Sequence, residues 1–319
     1  METVEGPVAG RDTSYCFVEQ LSEVREIEQG LPYRSFEDMS KRRNFDLEFK
    51  LLKKMTETQQ HSSLLVPNSP ELQGHNRYSD IVPYTDTAVV LEGGAYVNAS
   101  YVSRRQDLGQ VIATQGPLPN TRERFWQMVW EQGATTIVMI SALNEAGKAK
   151  CDQYFPSSAP LRVGPFTIVT VEEQQEFPNM TFRNIRVEKE GAAARTVQHY
   201  QSTAWPDHGS PDLDEEWPAL MHLLDTLQQE REQGNTVVVH CSAGIGRTGT
   251  IIALHELVGS LHAQLARGSG NVRASVFAVV RRLREERWGM VQNRDQYGFI
   301  YKFLSRYIAE ELQPGAFIE

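Results

Sequence analysis

The sequence predicts an α/β domain, and two observations carry that reading. First, residues 237–249 read VVVHCSAGIGRTG: three β-branched residues, a glycine-bearing turn, then an apolar helical run over 250–254. That is a strand, a tight turn and a helix start. Second, short β-rich runs bounded by Gly and Pro are interleaved along the chain with longer runs of helical spacing. The 319 residues, 40% of them hydrophobic, are enough for one large domain or two small ones.

The elements follow in order. Residues 1–14 are small and polar and read as a tail. Over 18–29, Val18, Leu21, Val24 and Ile27 share a helical face, and Gly30 stops it. Ser35 with Asp38 forms an acidic variant of the capping box, opening a helix to about Met55. Residues 57–74, with two prolines, read as a loop. Strands are expected over 88–91, 95–102 and 110–113, with Gly93 and Gly94 as a turn. A helix over 120–131 carries Phe125, Trp126, Met128, Val129 and Trp130, and a strand follows over 135–140. Runs at 163–170, 181–188 and 196–202 predict an antiparallel meander. Helices are expected over 213–233, 248–265, 275–287 and 295–312. In the third of these, Val276, Val279, Val280 and Leu283 face inward, and Arg281, Arg282, Arg284 and Arg287 face solvent.

Charge and cysteine usage narrow the function. A formal net charge of −9 argues against a general nucleic-acid binder. It does not exclude an anionic ligand, because a pocket's field is local. Cys16, Cys151 and Cys241 are too few and too scattered for a disulfide framework and suit a reducing compartment. Residues 1–5 lack the features of a signal peptide. No apolar run reaches the ~18 residues that a membrane span needs. Glu2 stands where myristoylation needs Gly, and the last five residues hold no Cys. The expectation is a cytoplasmic protein with no membrane segment.

The chemistry concentrates at 240–249. The turn Ser242, Ala243, Gly244, Ile245, Gly246 points backbone N–H groups at one spot, and the helix start adds its positive end. An anion belongs there. A thiol at the mouth of that field, Cys241, becomes available as a thiolate nucleophile. Arg247, six residues on, offers a planar fork suited to phosphate. By composition alone, a Cys with an Arg at that spacing arises in roughly one such chain in five. The preceding His240, the turn glycines, the hydroxyl of Thr248 and Gly249 add what the bare pair lacks. The competing reading is a buried structural cysteine at a strand end.

This stretch resembles the active-site loop of the cysteine-based protein tyrosine phosphatases, and further elements resemble that family in its order. Residues 75–84, HNRYSDIVPY, resemble its phosphotyrosine-recognition loop. The resemblance implies that Tyr78 stacks on the substrate ring and Asp80 anchors the substrate backbone; His75 stands where many members have Lys. Residues 96–101 and 114–117 resemble two structural motifs, expected to pack and hydrogen-bond. Lys150, Cys151, Tyr154 and Pro156 match a Lys-Cys-x-x-Tyr-x-Pro element, with Phe155 for a more usual Trp. That match implies Lys150 near the phosphate and Glu145 paired with Arg247. Alone, Asp207 in 205–211, WPDHGSP, reads as a turn cap. The resemblance implies instead a general acid on a closing loop, with His208 as loop packing. Residues 292–297, QNRDQY, resemble a Gln-Thr-x-x-Gln-Tyr element with Asn293 for Thr. Gln292 would orient the attacking water and Gln296 would assist, a task suited to neutral amides.

The resemblance covers roughly residues 35–312. It implies a highly twisted mixed β-sheet flanked by helices, in a single-domain, non-receptor member of the family. Residues 1–34 are read as a tail and helix, 35–312 as the catalytic domain, and 313–319 as a second tail. The implied reaction is hydrolysis of phosphotyrosine in proteins through a phosphocysteine. Cys241 is the nucleophile, the backbone of residues 242–247 and the Arg247 guanidinium hold the phosphate, and Asp207 is acid and base. Thr248 would steady the thiolate, and His240 would order the loop and tune the thiol. No metal or other cofactor is called for. The expected partners are phosphotyrosine proteins, without nucleic acid, and the expected state is a monomer. His75, Asn293 and the insertion before the recognition loop suggest a protozoan, trypanosomatid member. Two rivals remain: a phosphatase of broader specificity, for phosphoserine, phosphothreonine or phosphoinositides, and a phosphotyrosine-binding module. The module would require loss of Cys241, Arg247 or Asp207, and all three are present.

Overall fold

The computed structural model describes residues 24–60, 70–104, 107–206 and 209–313. Among them, nine strands form one mixed sheet: β1 (Ala88–Val90), β2 (Tyr96–Val102), β3 (Val111–Thr114), β4 (Ala134–Ile140), β5 (Leu161–Val163), β6 (Phe166–Phe177), β7 (Met180–Lys189), β8 (Arg195–Ser202) and β9 (Thr236–His240). The main helices are α1 (Phe45–Gln60), α2 (Arg122–Glu131), α3 (Leu213–Glu232), α4 (Gly246–Ala266), α5 (Val276–Glu286) and α6 (Arg294–Tyr307). Strand order is β1-β2-β3-β9-β4-β8-β7-β6-β5. The four inner strands β3, β9, β4 and β8 run parallel. Both flanks are antiparallel, and the expected meander is β6, β7 and β8.

The alternation of side chains along β9 divides the core. Val237 and Val239 enter one apolar layer with α3, α4, α5 and α6, and Val238 enters the other with α2. All three are fully buried, as a parallel strand covered on both faces requires. Helix α4 is buried over most of its circumference, with Ile251, Ile252, Ala253 and Leu254 all inside. A helix apolar on all sides sits in the middle of a domain. The turn from β9 into α4 is therefore held at the centre of the fold. Helix α1 packs outside α5 and α6.

Several expectations change. The single helix opened by Ser35 is two: a short one, Phe36–Ser40, and α1. Ser35 makes no cap; its hydroxyl meets Met39 Sδ. Instead Asn44 Oδ1 accepts the Leu47 N–H and starts α1. The run expected over 163–170 breaks after Val163, because Gly164 turns the chain at φ 53°. Of the first expected helix, residues 24–29 are helical, with Ile27 buried and Gly30 at φ 70° ending it; the rest lies outside the described residues. Of the loop expected over 57–74, residues 61–69 lie outside them; the rest is not all loop, because α1 runs to Gln60 and Pro70–Gln73 is a short helix. The last helix is α6 followed by a π turn, Ile308–Leu312. The outward basic face of α5 is half wrong: Arg284 and Arg287 are buried, 4% and 0% exposed.

Candidate active site

The centre of the site is the turn between β9 and α4. Its carbonyls are tied back to the scaffold. Ser242 O accepts from Gly116 N at 2.8 Å, and Ile245 O accepts from Val291 N at 2.9 Å. Gly244 O and Ala243 O accept from the Arg287 guanidinium at 2.9 and 3.2 Å. With the carbonyls held outward, the N–H groups of Ser242, Ala243, Gly244 and Ile245 donate to no acceptor among the described residues. Together with the start of the 21-residue α4, they form an anion cradle. Gly244 makes the turn possible: its φ is 69°, and a Cβ there would lie 2.0 Å from Thr114 O.

Cys241 lies at the foot of this cradle, 5% exposed. Its carbonyl accepts from His240 Nδ1 at 3.1 Å. Since a carbonyl only accepts, Nδ1 carries the proton, and Nε2 accepts from Tyr154 Oη at 2.7 Å. Tyr154 Oη in turn accepts from His199 Nε2 at 2.8 Å, and His199 Nδ1 faces Arg183 Nη1 at 3.4 Å. Burial, the main cause, pushes His240 down to about 4, so the ring is neutral near pH 7. His240 is thus a fixed neutral ring bonded to the Cys241 carbonyl. Thr248 is buried behind the loop, but its hydroxyl has no partner among the described residues, so the bond expected toward Cys241 is not seen.

Arg247 points into the site from the first turn of α4. Its two terminal nitrogens each meet one Glu145 oxygen at 2.6 Å, the pairing the sequence implied. They also reach Ile140 O and Pro206 O, both at 3.2 Å. Glu145 is presented by a hairpin of Asn144–Glu145 with Lys148–Ala149, turned by Gly147 at φ 76°.

A cavity of about 500 Å³ opens over Cys241. Its walls are Tyr78, Asp80, Ile81, Lys148, Lys150, Ser242, Ala243, Gly246, Arg247, Gln292, Asn293 and Gln296. Tyr78 Oη sits 3.0 Å from Ser242 Oγ. The recognition segment is pinned by Arg77, whose backbone N–H donates to Gln115 Oε1 and whose guanidinium donates to Gly116 O and Pro117 O. Gln296 Oε1 accepts from Gln292 N at 2.9 Å, and Asn293 Oδ1 caps α6 through Gln296 N. Asn293 therefore does a cap's work where the family pattern has Thr. Both glutamines crowd Gly246: a Cβ there would lie 3.0 Å from Gln296 Nε2 and 3.1 Å from Gln292 Oε1. Gly244 and Ile245 shape the cradle from behind the cavity. Asp207 and His208 lie outside the described residues. Their flanks are anchored, since Pro206 O accepts from Arg247 and Trp205 Nε1 donates to Gly209 O.

Residues the sequence reading missed support the loop. Arg287 also donates to Asn98 Oδ1 and Ser100 Oγ, so the motif at 96–101 has the hydrogen-bonding role expected of it. The signal was present. Val276, Val280, Leu283 and Arg287 follow helical spacing, so Arg287 continues the inward stripe. Arg284 donates to Met290 O and Val291 O. His199 and Arg183 have no such signal, because their pairing depends on strand register; Tyr154, named in the Lys-Cys-x-x-Tyr-x-Pro match, links them to His240.

A mixed sheet with a thiol under a backbone cradle, a paired arginine at a helix start and an aromatic wall defines a phosphate-handling cysteine site on an α/β scaffold. The family model described as protein-tyrosine phosphatase matches residues 73–306, and the chain belongs to that family. It is 36% identical over 264 residues to human (Homo sapiens) receptor-type tyrosine-protein phosphatase H, covering 80% of this chain and 23% of that protein. It is 38% identical over 252 residues to mouse (Mus musculus) receptor-type tyrosine-protein phosphatase C, covering 75% of this chain and 18% of that protein. The chain thus spans less than a quarter of the length of these relatives. The solved structure of PTPN18 in complex with HER2-pY1196 phosphor-peptides superposes with a TM-score of 0.75 at 28% identity, covering 86% of this chain and 99% of that one. These vertebrate relatives lend the protozoan reading no support. Among the described residues, no helix is long and apolar enough to cross a membrane.

Proposed function

We propose that the protein is a protein-tyrosine phosphatase that hydrolyses phosphotyrosine in proteins through a phosphocysteine. The observation that carries this is Cys241 and Arg247 on the floor of one cavity beneath Tyr78. A pocket with an aromatic wall above a buried thiol suits a long aryl phosphate better than a shorter phosphoserine.

In the first step, the Cys241 thiolate attacks phosphorus. The S–P bond forms, the P–O bond to tyrosine breaks, and the Asp207 carboxylic acid gives its proton to the departing oxygen. The free N–H groups of the cradle and the Arg247 fork hold the equatorial oxygens, where charge gathers in the transition state. In the second step, a water held by Gln292 attacks phosphorus and gives its proton to the Asp207 carboxylate. The S–P bond breaks and the thiolate leaves. Lys150 supports the phosphate's charge, Gln296 assists Gln292, Thr248 steadies the leaving thiolate, and Asp80 holds the substrate backbone. The catalytic unit is assigned to residues 35–312 acting as a monomer. A reactive free thiol is kept by a reducing compartment, so the reaction is placed in the cytoplasm.

The test is phosphate release from matched phosphotyrosine and phosphoserine peptides. Release from the phosphotyrosine peptide alone, abolished in Cys241→Ser, is expected. Comparable rates on both would favour the broad-specificity reading. Asp207→Ala should retain phosphotyrosine proteins while turning over slowly; binding with no turnover by the unaltered chain would favour a binding module.

A further inference from the structure

The segment that carries the two glutamines is held at both its ends, by a residue of helix α1 and by an arginine of α5 that α1 supports. At one end stands Glu48, only 2% exposed. Its Oε2 accepts from the hydroxyls of Tyr297 and Tyr301, both at 2.7 Å, and its Oε1 lies 3.5 Å from Arg43 Nη1. Phe45 stacks on Tyr301 with ring centroids 4.6 Å apart, and Phe49 lies 5.8 Å from Tyr297. Tyr297 directly follows Gln296 in the first turns of α6.

At the other end stands Arg284, which donates to Met290 O and Val291 O, both at 2.8 Å. Helix α1 supports this arginine too. Arg284 Nη1 lies 3.3 Å from Thr56 Oγ1, and its guanidinium sits 5.2 Å from the centre of the Phe49 ring. The residue it holds, Val291, has φ 58°. A β-branched residue in the left-handed region persists only where its surroundings over-determine it. The next residue is Gln292.

A buried carboxylate is an expensive way to pack one helix on another, since apolar side chains of similar volume would do so at less cost. What Glu48 adds is direction: two hydroxyls aimed at one oxygen fix both the rotation and the height of α6. We infer that α1 is the brace that sets the amides of Gln292 and Gln296 for attack of water on the phosphocysteine, with Glu48 and Arg284 as positioning residues. The inference rests on the two-step reading above. Glu48 touches neither the cradle nor Arg247, so its loss falls on the second step. Arg284 reaches the cradle through Val291, whose N–H binds Ile245 O, and so is the less selective probe.

The experiment uses the full chain and a phosphotyrosine peptide labelled in its phosphate. Glu48→Gln keeps the shape and weakens the acceptor; Tyr301→Phe removes one donor. For each, kcat should fall about tenfold while kcat/KM, which reports the steps up to phosphocysteine formation, stays within about twofold. The labelled phosphocysteine trapped by rapid quench should rise correspondingly. Equal losses in kcat and kcat/KM, or an unchanged kcat in folded variants, would overturn the brace. If Glu48→Gln does not fold at the assay temperature, Tyr301→Phe decides by the same readout. Gln292→Ala separates the two readings. If it accumulates phosphocysteine and the Glu48 and Tyr301 variants do not, the brace fails alone. If it accumulates none, the assignment of Gln292 to the second step fails.

Discussion

Arg247 and Glu145 meet as two planar groups edge to edge, with both N···O distances at 2.6 Å. Both side chains are largely buried, 8% and 13% exposed. A fork held along one edge by a carboxylate keeps its orientation before substrate arrives, so little ordering is left to the binding step.

Removing that edge should therefore cost rate more than fold. Glu145→Ala is expected to lower kcat/KM for a phosphotyrosine peptide by about 10- to 100-fold, with only a small change in the urea midpoint. Arg247→Lys should lose as much or more, because an ammonium cannot make the paired contact. Steady-state kinetics beside urea denaturation of the same preparations checks both. An Ala variant with full kcat/KM would show that Arg247 orients itself.

Arg287 carries the opposite balance. It is buried and feeds two carbonyls of the cradle as well as Asn98 and Ser100. Arg287→Met should leave those acceptors unpaired and destabilise the chain by about 3 kcal/mol, read from the urea midpoint. The released carbonyls can then turn toward the cavity, so affinity for a phosphate-mimicking oxyanion should also fall. Calorimetric titration with vanadate measures that loss.

Acid should unfold the protein partly through His240. Its ring titrates near 6.5 when unfolded and at about 4 when folded. Between those values the unfolded chain binds more protons, so stability is complete above about pH 6.5 and is lost as the pH falls toward 4. The whole effect from this ring is about 3 kcal/mol. Burial holds His199 well below its ordinary value as well, which adds loss of the same sign. Urea midpoints measured at about pH 7 and about pH 4.5 should differ accordingly, and the difference should shrink in His240→Asn. An equal pH dependence in that variant would count against a buried neutral imidazole.

Gly244→Ala tests the cradle's shape. The added methyl meets the Thr114 carbonyl in a backbone conformation that L residues rarely adopt. The turn must reopen, so kcat/KM should fall by about 100-fold or more. Gly147→Ala, at a hairpin tip with open space around it, is the comparison with positive φ but no clash. It should lose far less. Parallel assays of the two variants separate backbone strain from loss of the cradle.

Much of this is legible in the sequence. The strand, turn and helix at 237–249 are a local pattern: β-branched residues, then glycines, then apolar helical spacing. Local steric preferences suffice to write it, and the resemblance of the flanking elements supplied the rest of the candidate site. The pairing of Arg247 with Glu145 also came from that resemblance. Errors arose where tertiary contacts override local preference. Ser35 looked like a cap, yet Asn44 starts α1. Arg284 and Arg287 looked like a solvated basic face, because arginine is seldom buried without partners. Here most of the partners are backbone carbonyls, which have no signature in the side-chain alphabet; only the place of Arg287 on the inward stripe marks it.

The sequence by itself determined the cradle, its thiol and its arginine, because a tight turn into a helix is encoded by residues next to one another. The tertiary structure alone decided what holds that cradle in shape. Strand register sets Arg183 opposite His199, and the loop residue Tyr154 joins His199 to His240. Helix packing sets Arg287 under the turn and Glu48 against Tyr297 and Tyr301. These partners are 16 to 253 residues apart in the chain. A hydrogen bond acts over about 3 Å, and only the folded backbone brings such residues that close.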